Sequence, residues 1–181
     1  MTQKHFLITP PAVGEYNPYY STYIRRVPEG DVLAFLEMQL HHTVELLGGL
    51  SDEQASAYPA PGEWNIKQIV GHLSDTERIF AYRALRIARG DVVPLPGFNQ
   101  NPYVENGGFE QRNLADLLDE FVAVRRSNLF LFRSFSPEAM LRMGTASDSP
   151  ISVRALIYCC AGHEHHHLES IRTVYLGMGP D

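Results

Sequence analysis

The chain has 181 residues, 44% of them hydrophobic and 20% charged, with a formal net charge of −6. A single domain of this length buries a sizeable core. Basic residues form no run that would match a phosphate backbone, and no apolar stretch approaches the ~20 residues of a membrane span. Neither nucleic acid nor a membrane is therefore expected as a partner.

The opening residues, MTQKHFLITPPAVGEY, lack the apolar centre of a secretory signal. The two cysteines, Cys159 and Cys160, are adjacent within a helical pattern and cannot easily bridge each other. A reduced, cytoplasmic protein is the expectation.

Residues 1–26 are rich in Pro and Tyr and show no sustained period, which predicts an arm wrapped over the surface. A first helix is predicted from Pro28 or Asp31 to Gly48-Gly49, with a core stripe of Leu33, Leu36, Leu40, Val44 and Leu47. Nearly opposite lies a second strip, Phe35, Met38, His42 and Leu46. A helix apolar on two sides has two packing partners, so a homodimer is expected. Ser51-Asp52-Glu53 reads as the cap of a short turn. A second helix opens at Asn65, with Gln68 completing a capping box, and stops at Gly90. Its apolar positions are Ile66, Ile69, Leu73, Phe80, Ala84 and Ile87.

Residues 91–112 carry Pro94, Pro96, Gly97, Pro102, Gly107 and Gly108. A connection of this length can cross the molecule, so that the helices on either side run parallel. A third helix is predicted from Asn113 to about Ser134, through Leu117, Phe121, Val124 and Asn128. Ser136-Pro137-Glu138 caps another short turn. A fourth helix is predicted from Ser149-Pro150 to Gly177. No segment reads as a strand. The expectation is an all-α fold, one four-helix-bundle domain over residues 1–181, with a long connection between the second and third helices.

The strongest chemical signal is His163-Glu164-His165-His166-His167. Leu156, Cys160, His163, His167, Ile171 and Val174 recur at helical spacing and predict one buried stripe. His163 and His167 then sit one turn apart on it, an arrangement that can hold a metal ion. His165 falls with Arg154, Tyr158 and Arg172 on the wetter face. Of the remaining histidines, His5 lies in the arm, and His41 and His42 lie off the first helix's core stripe. His72 sits on the margin of the second helix's buried face, beside Ile69, Thr76 and Ile79. Three imidazoles from two bundle helices make a divalent-metal site with an open position.

Glu164 is a candidate acid or base. Arg83, three turns from His72 on the same face, is a candidate for binding an anionic substrate group. Asp75 or Glu77 are candidates for orienting a ligand imidazole. Tyr19, Tyr20, Tyr23, Phe98 and Tyr103 are candidates for a pocket wall. The segment also fits the H-E-x-x-H protease signature, but few residues follow His167, and no strand is predicted to line a peptide cleft.

The stretch PAPGEWNIKQIVGHLSDTERIFAYRALRIARGD, the following PLPGF and the late HEHHHLESI resemble the DinB/YfiT-like superfamily of metalloenzymes. The arm EYNPYYSTYIRRVPEGD extends the likeness over nearly the whole chain. The resemblance implies a four-helix bundle, commonly a homodimer. It implies a zinc or nickel ion held by His72, His163 and His167. Some relatives are S-transferases that use low-molecular-weight thiols, and others are metal-dependent hydrolases. The expected function is a metal-dependent thiol S-transferase acting on a small electrophilic molecule. The alternatives are a metal-dependent hydrolase of a small ester or amide, and a non-enzymatic metal-binding stress-response module.

Overall fold

The computed structural model describes residues 6–179. A 3-10 turn (Pro18–Tyr20) leads into α1 (Ser21–Ile24), then α2 (Val32–Leu47) and the short α3 (Asp52–Ser56). The long α4 (Ile66–Ala88) is followed by α5 (Gln100–Asn106), α6 (Leu114–Arg133) and the short α7 (Pro137–Met140). A hairpin of β1 (Met143–Ala146) and β2 (Ser149–Ser152) leads into α8 (Val153–Ser170), which ends in a π-helical turn (Ile171–Tyr175). His5 lies outside the described residues.

The long helices start where their caps dictate. The Asp31 carboxylate accepts from the amides of Leu33 and Ala34. Asn65 and Gln68 close a reciprocal capping box, each side chain accepting from the other's amide at 3.0 Å. A cap of this kind stabilises a helix by about 1 kcal/mol.

The four long helices form the bundle. α4 packs on α6 and α8, and α2 packs on the same two from the opposite corner. One apolar cluster gathers the starts of α4 and α6 (Ile69, Leu73, Leu117, Phe121) with the ends of α2 and α8 (Leu47, Ile171). A second gathers their other ends, including Phe80, Ala84, Leu129, Phe132, Leu36 and Leu156. Hence α4 and α6 run parallel, as the long connection predicts, while α2 and α8 run against them.

A buried polar layer separates the two clusters. Arg125 of α6 is fully buried and donates to both carboxylate oxygens of Glu77 on α4, at 2.6 and 2.9 Å. It also donates to Glu164 Oε2 on α8 at 2.8 Å and to the Leu36 carbonyl on α2 at 2.8 Å. Thr43 Oγ1 of α2 donates to Glu164 Oε1 at 2.7 Å. One guanidinium on α6 thus bonds to the other three bundle helices. Burial opposes its charge, but the carboxylates of Glu164 and Glu77 outweigh that and raise its pKa.

Three expectations are corrected. Residues 143–152 form a hairpin rather than helix and loop, so α8 begins at Val153, capped by Ser152. Its turn places Ser147 and Asp148 at φ 52° and 57°, and Leu95 of the crossing segment pairs alongside it. A Ser-Asp turn, four-residue strands and Pro150 disguise the hairpin, because the sequence cue for such turns is Asn-Gly or Asp-Gly. In α2 the core stripe runs through Thr43, while Val44 is exposed. In α8 Tyr158 is buried, because the arm covers that face and the Ile8 carbonyl accepts from its hydroxyl at 3.0 Å, whereas Val174 is exposed.

The arm is anchored along the hairpin. The Ser152 amide donates to the Glu15 carbonyl at 2.9 Å, and Asn17 Nδ2 donates to Ser149 Oγ at 2.9 Å. Arg154 clasps the Glu15 carboxylate.

Breaking the polar layer should be costly. Arg125→Met leaves two carboxylates buried without their partner, and a loss of about 3–5 kcal/mol in urea unfolding is expected. The triple variant Arg125→Met, Glu77→Gln, Glu164→Gln should recover a substantial part of it. If the triple variant is no more stable than the single one, uncompensated charge is not the source of the loss.

The arm should also tie stability to acid pH. The Arg154 hydrogen bond, helped by Ser152 and the Ala12 amide against the opposing effect of burial, lowers the Glu15 pKa to about 2. The folded value lies below the unfolded one. Its stabilising contribution is therefore complete above the ordinary carboxylate range and fades as pH falls towards 2. Glu15→Gln should destabilise the chain at pH 7 and make little difference near pH 2; equal losses at both would show that the charge is not involved.

Candidate metal centre

His72 leaves α4 on the side facing α8, and His163 and His167 leave α8 one turn apart towards α4. Their ring nitrogens converge. His163 Nε2 lies 3.0 Å from His72 Nε2 and 3.2 Å from His167 Nε2, and one ligand atom from each ring falls within 4.8 Å of the others. His72 and His163 are buried, and His167 is partly so.

Three ring nitrogens this close cannot all be satisfied by one another. Each neutral imidazole nitrogen has a single proton or a single lone pair to offer, so His163 Nε2 can donate to or accept from only one neighbour well. A shared cation satisfies all three at once. A tetrahedral ion ~2.0–2.1 Å from each nitrogen needs them about 3.3 Å apart, close to the separations seen. Protonation is opposed. Burial lowers the pKa of His72 to about 4, and burial with the neighbouring imidazoles lowers that of His167 to about 3. His163 falls well below its ordinary value for the same two reasons. The rings are neutral at pH 7, with lone pairs free to ligate.

The surrounding residues hold the rings in place. Thr76 Oγ1, one turn from His72, lies 3.3 Å from His72 Nδ1 and directs the opposite nitrogen into the cluster. Trp64 lies against the His72 ring with centroids 4.9 Å apart, and the Tyr175 hydroxyl fastens the Trp64 carbonyl at 2.6 Å. Tyr23 and Phe80 pack edge-on to His163, at 5.3 and 6.3 Å.

Above the cluster opens a cavity of about 230 Å³, walled by Tyr19, Tyr20 and Tyr23 of the arm, by Phe80 of α4, and by Trp64 and Phe98. Tyr103 packs on Phe98 but is outside this wall. The arm can reach the site because α8 carries Gly162 there: a Cβ at this position would lie 2.0 Å from the Tyr23 carbonyl oxygen.

The two candidate catalytic residues lie elsewhere. Glu164 is not at the surface. It is fully buried, with its carboxylate spent on Thr43 and Arg125 in the polar layer, and burial raises its pKa. One residue along from His163, its side chain turns about 100° round the helix, into the bundle rather than into the cavity. Arg83 is buried too. Its guanidinium donates to the Pro96 carbonyl at 2.7 Å and to Ser147 Oγ at 3.2 Å, pinning the crossing segment to the hairpin. Neither Asp75 nor Glu77 touches a ring: Asp75 faces Arg78, and Glu77 holds Arg125. Thr76, between them in sequence, takes the orienting position instead.

The sequence profile of the DinB superfamily matches residues 36–171. The chain belongs to the DinB superfamily. It is 27% identical over 146 residues to an Oceanobacillus iheyensis protein named "Putative metal-dependent hydrolase", covering 76% of this chain and 79% of the relative. Its fold is similar to that of YfiT from Bacillus subtilis, described as a probable metal-dependent hydrolase with an unusual four-helix bundle topology. The TM-score is 0.74 at 16% identity, over 92% of this chain and 97% of the other. This DinB chain is thus a four-helix bundle whose three-histidine cluster fits a metal-dependent enzyme. None of its described helices is long and apolar enough to cross a membrane.

Trp64, the only tryptophan in the chain, reports on the cluster. A paramagnetic ion such as Co²⁺ bound among the three imidazoles should quench its fluorescence saturably at one equivalent. His72→Ala should abolish that quenching. Quenching that persists unchanged in His72→Ala would place the ion elsewhere.

Proposed function

We propose that this DinB chain is a metal-dependent hydrolase of a small ester or amide, with His72, His163 and His167 holding a zinc or nickel ion. The observation that carries the reading is the convergence of three neutral imidazole nitrogens at the floor of an open cavity. A divalent ion held by three imidazoles keeps an open position, polarises a carbonyl and lowers the pKa of a bound water. The hydrolase names carried by the relatives support the same class.

The chain's residues supply position and dryness. Thr76 and Trp64 fix the His72 ring, and Tyr23 and Phe80 fix His163. The aromatic wall keeps bulk water from all but the open side. In the overall reaction a water oxygen bonds to the acyl carbon, the C–O or C–N bond breaks, and an acid leaves with an alcohol or amine. The thiol S-transferase reading uses the same three histidines with a low-molecular-weight thiol as co-substrate. Its support is the resemblance alone, whereas the relatives' names carry hydrolysis. A purely structural metal module is disfavoured by the cavity above the cluster, since structural sites are closed by protein ligands. The free, buried Cys159 and Cys160 suit a cytoplasmic setting.

A homodimer is part of this reading. The predicted second strip of α2 faces a groove of about 970 Å³ shared with α8, lined by Phe35, Met38, His42, Leu46, Leu168 and Leu176. Light scattering at micromolar concentration should give twice the chain mass; a monomer at that concentration would remove the dimer from the reading.

Protein prepared without a metal-affinity step should carry about one divalent ion per chain by elemental analysis. His72→Ala, His163→Ala and His167→Ala should each lose most of it, and His165→Ala should keep it. The loaded protein should hydrolyse members of a panel of small esters and amides. If it instead transfers bacillithiol, mycothiol or glutathione to electrophiles and leaves the panel untouched, the transferase reading replaces hydrolysis.

A further inference from the structure

The aromatic walls of the cavity over the histidine cluster come from distant parts of the chain. The arm contributes Tyr20 and Tyr23, α4 contributes Phe80, and the crossing segment contributes Phe98. The rings meet nearly at right angles: Tyr20 on Phe80 at 81°, Tyr23 on His163 at 79°. Such an arrangement leaves ring faces and edges pointing into the space, the geometry in which a further aromatic ring packs well.

Among the described residues, no Asp, Glu, Lys or Arg lines this space. Arg83, behind Phe98, is 2% exposed and committed to Pro96 and Ser147, with its guanidinium 5.8 Å from the Phe98 ring centroid. The volume, about 230 Å³, lies below the range of roughly 300–1,000 Å³ that accommodates drug-sized ligands. The part of a ligand enclosed within it is about the size of one ring with a short polar head. The wall is also held in place. The Tyr23 backbone sits against Gly162, where any Cβ would collide with it, and Glu15 and Asn17 tie the arm to Arg154 and the hairpin.

We propose that this cavity selects a small substrate with a single uncharged aromatic ring, packed between Tyr20, Tyr23 and Phe98, its polar reacting group turned to the three histidines. This deepens the hydrolase reading and rests on it. Tyr23 and Phe98 are then specificity-determining residues, placed to touch the substrate's body rather than its reacting bond.

Hydroxamates test the proposal, because their head binds a metal while their body can be varied. Isothermal titration of the zinc-loaded full chain should show benzohydroxamate binding at least tenfold more tightly than acetohydroxamate. Adding a charge, as in 4-carboxybenzohydroxamate, should erase that advantage. Tyr23→Ala and Phe98→Ala should each bring the benzo-to-aceto ratio close to one. Phe98→Ala, at a ring that does not hold a ligand imidazole, should leave zinc content and acetohydroxamate affinity within about twofold, which also controls for folding. Equal wild-type affinities for the two uncharged probes would overturn the proposal while leaving the metal reading intact. So would a ratio that survives both substitutions. If acetohydroxamate binds equally well to zinc-loaded protein and to the metal-free His163→Ala variant, the metal reading itself fails, and this proposal falls with it.

Discussion

Arg125 sets the geometry on which the rest of this molecule depends. A guanidinium with no exposure to water has to find partners for its charge and its donors inside the protein. Here the partners come from α2, α4 and α8, while the side chain itself comes from α6. The planar fork accepts few arrangements of two carboxylates and a carbonyl, so the four helices are held in one axial register. A layer of apolar contacts would tolerate sliding by a fraction of a turn far better than this layer does. Such layers are weak sources of net stability, because removing the charges from water costs as much as pairing them returns. Their use here is specification.

That register is what the histidine cluster needs. Glu164 is adjacent to His163, and Glu77 is five residues from His72. Fixing the two carboxylates against one guanidinium fixes the depth of the imidazoles against each other. The cluster then lies on the outer side of the α4–α8 seam, with the polar layer behind it. The chemistry faces the cavity and the specification faces the core, one residue apart on the same helix. The H-E-x-x-H pattern thus carries no protease geometry: the glutamate that would act as base in that motif points into the bundle.

The remaining requirement is a cover. A seam between two helices is open to water, and the arm closes most of it with tyrosines. Gly162 makes this possible by letting the Tyr23 backbone lie directly on α8. The cover is also why α8 is buried on nearly all sides over its first three turns, with Tyr158 bonded to the arm rather than to solvent. The hairpin supports the arm on one side and, through Ser147 and Leu95, the crossing segment on the other. A connection that looks like a simple crossing loop is therefore part of the site's wall.

Local patterns in the chain determined the four long helices, because caps and 3.6-residue periodicity act within a turn or two. Asn65 with Gln68 marks the start of α4 as sharply in the sequence as in the structure, and the length of the 91–112 connection foretold the parallel run of α4 and α6. The four-residue spacing of His163 and His167 put them on one helix face, and His72 was the one remaining histidine on a suitable margin. Tertiary structure decided the rest. Which side of α8 faces the bundle cannot be read from a helix that is buried all round, since its periodicity loses contrast; Tyr158 fell on the predicted wetter face for that reason. Arg83 and Glu77 stood as candidates for the site because their actual partners, Ser147 and Arg125, are 64 and 48 residues away. The hairpin escaped notice because its pairing is stabilised by contacts with the arm and with Leu95 rather than by its own four-residue strands. Side-chain chemistry travels with the sequence, but burial and partnership are properties of the packed chain, and those turned two candidate catalytic residues into structural ones.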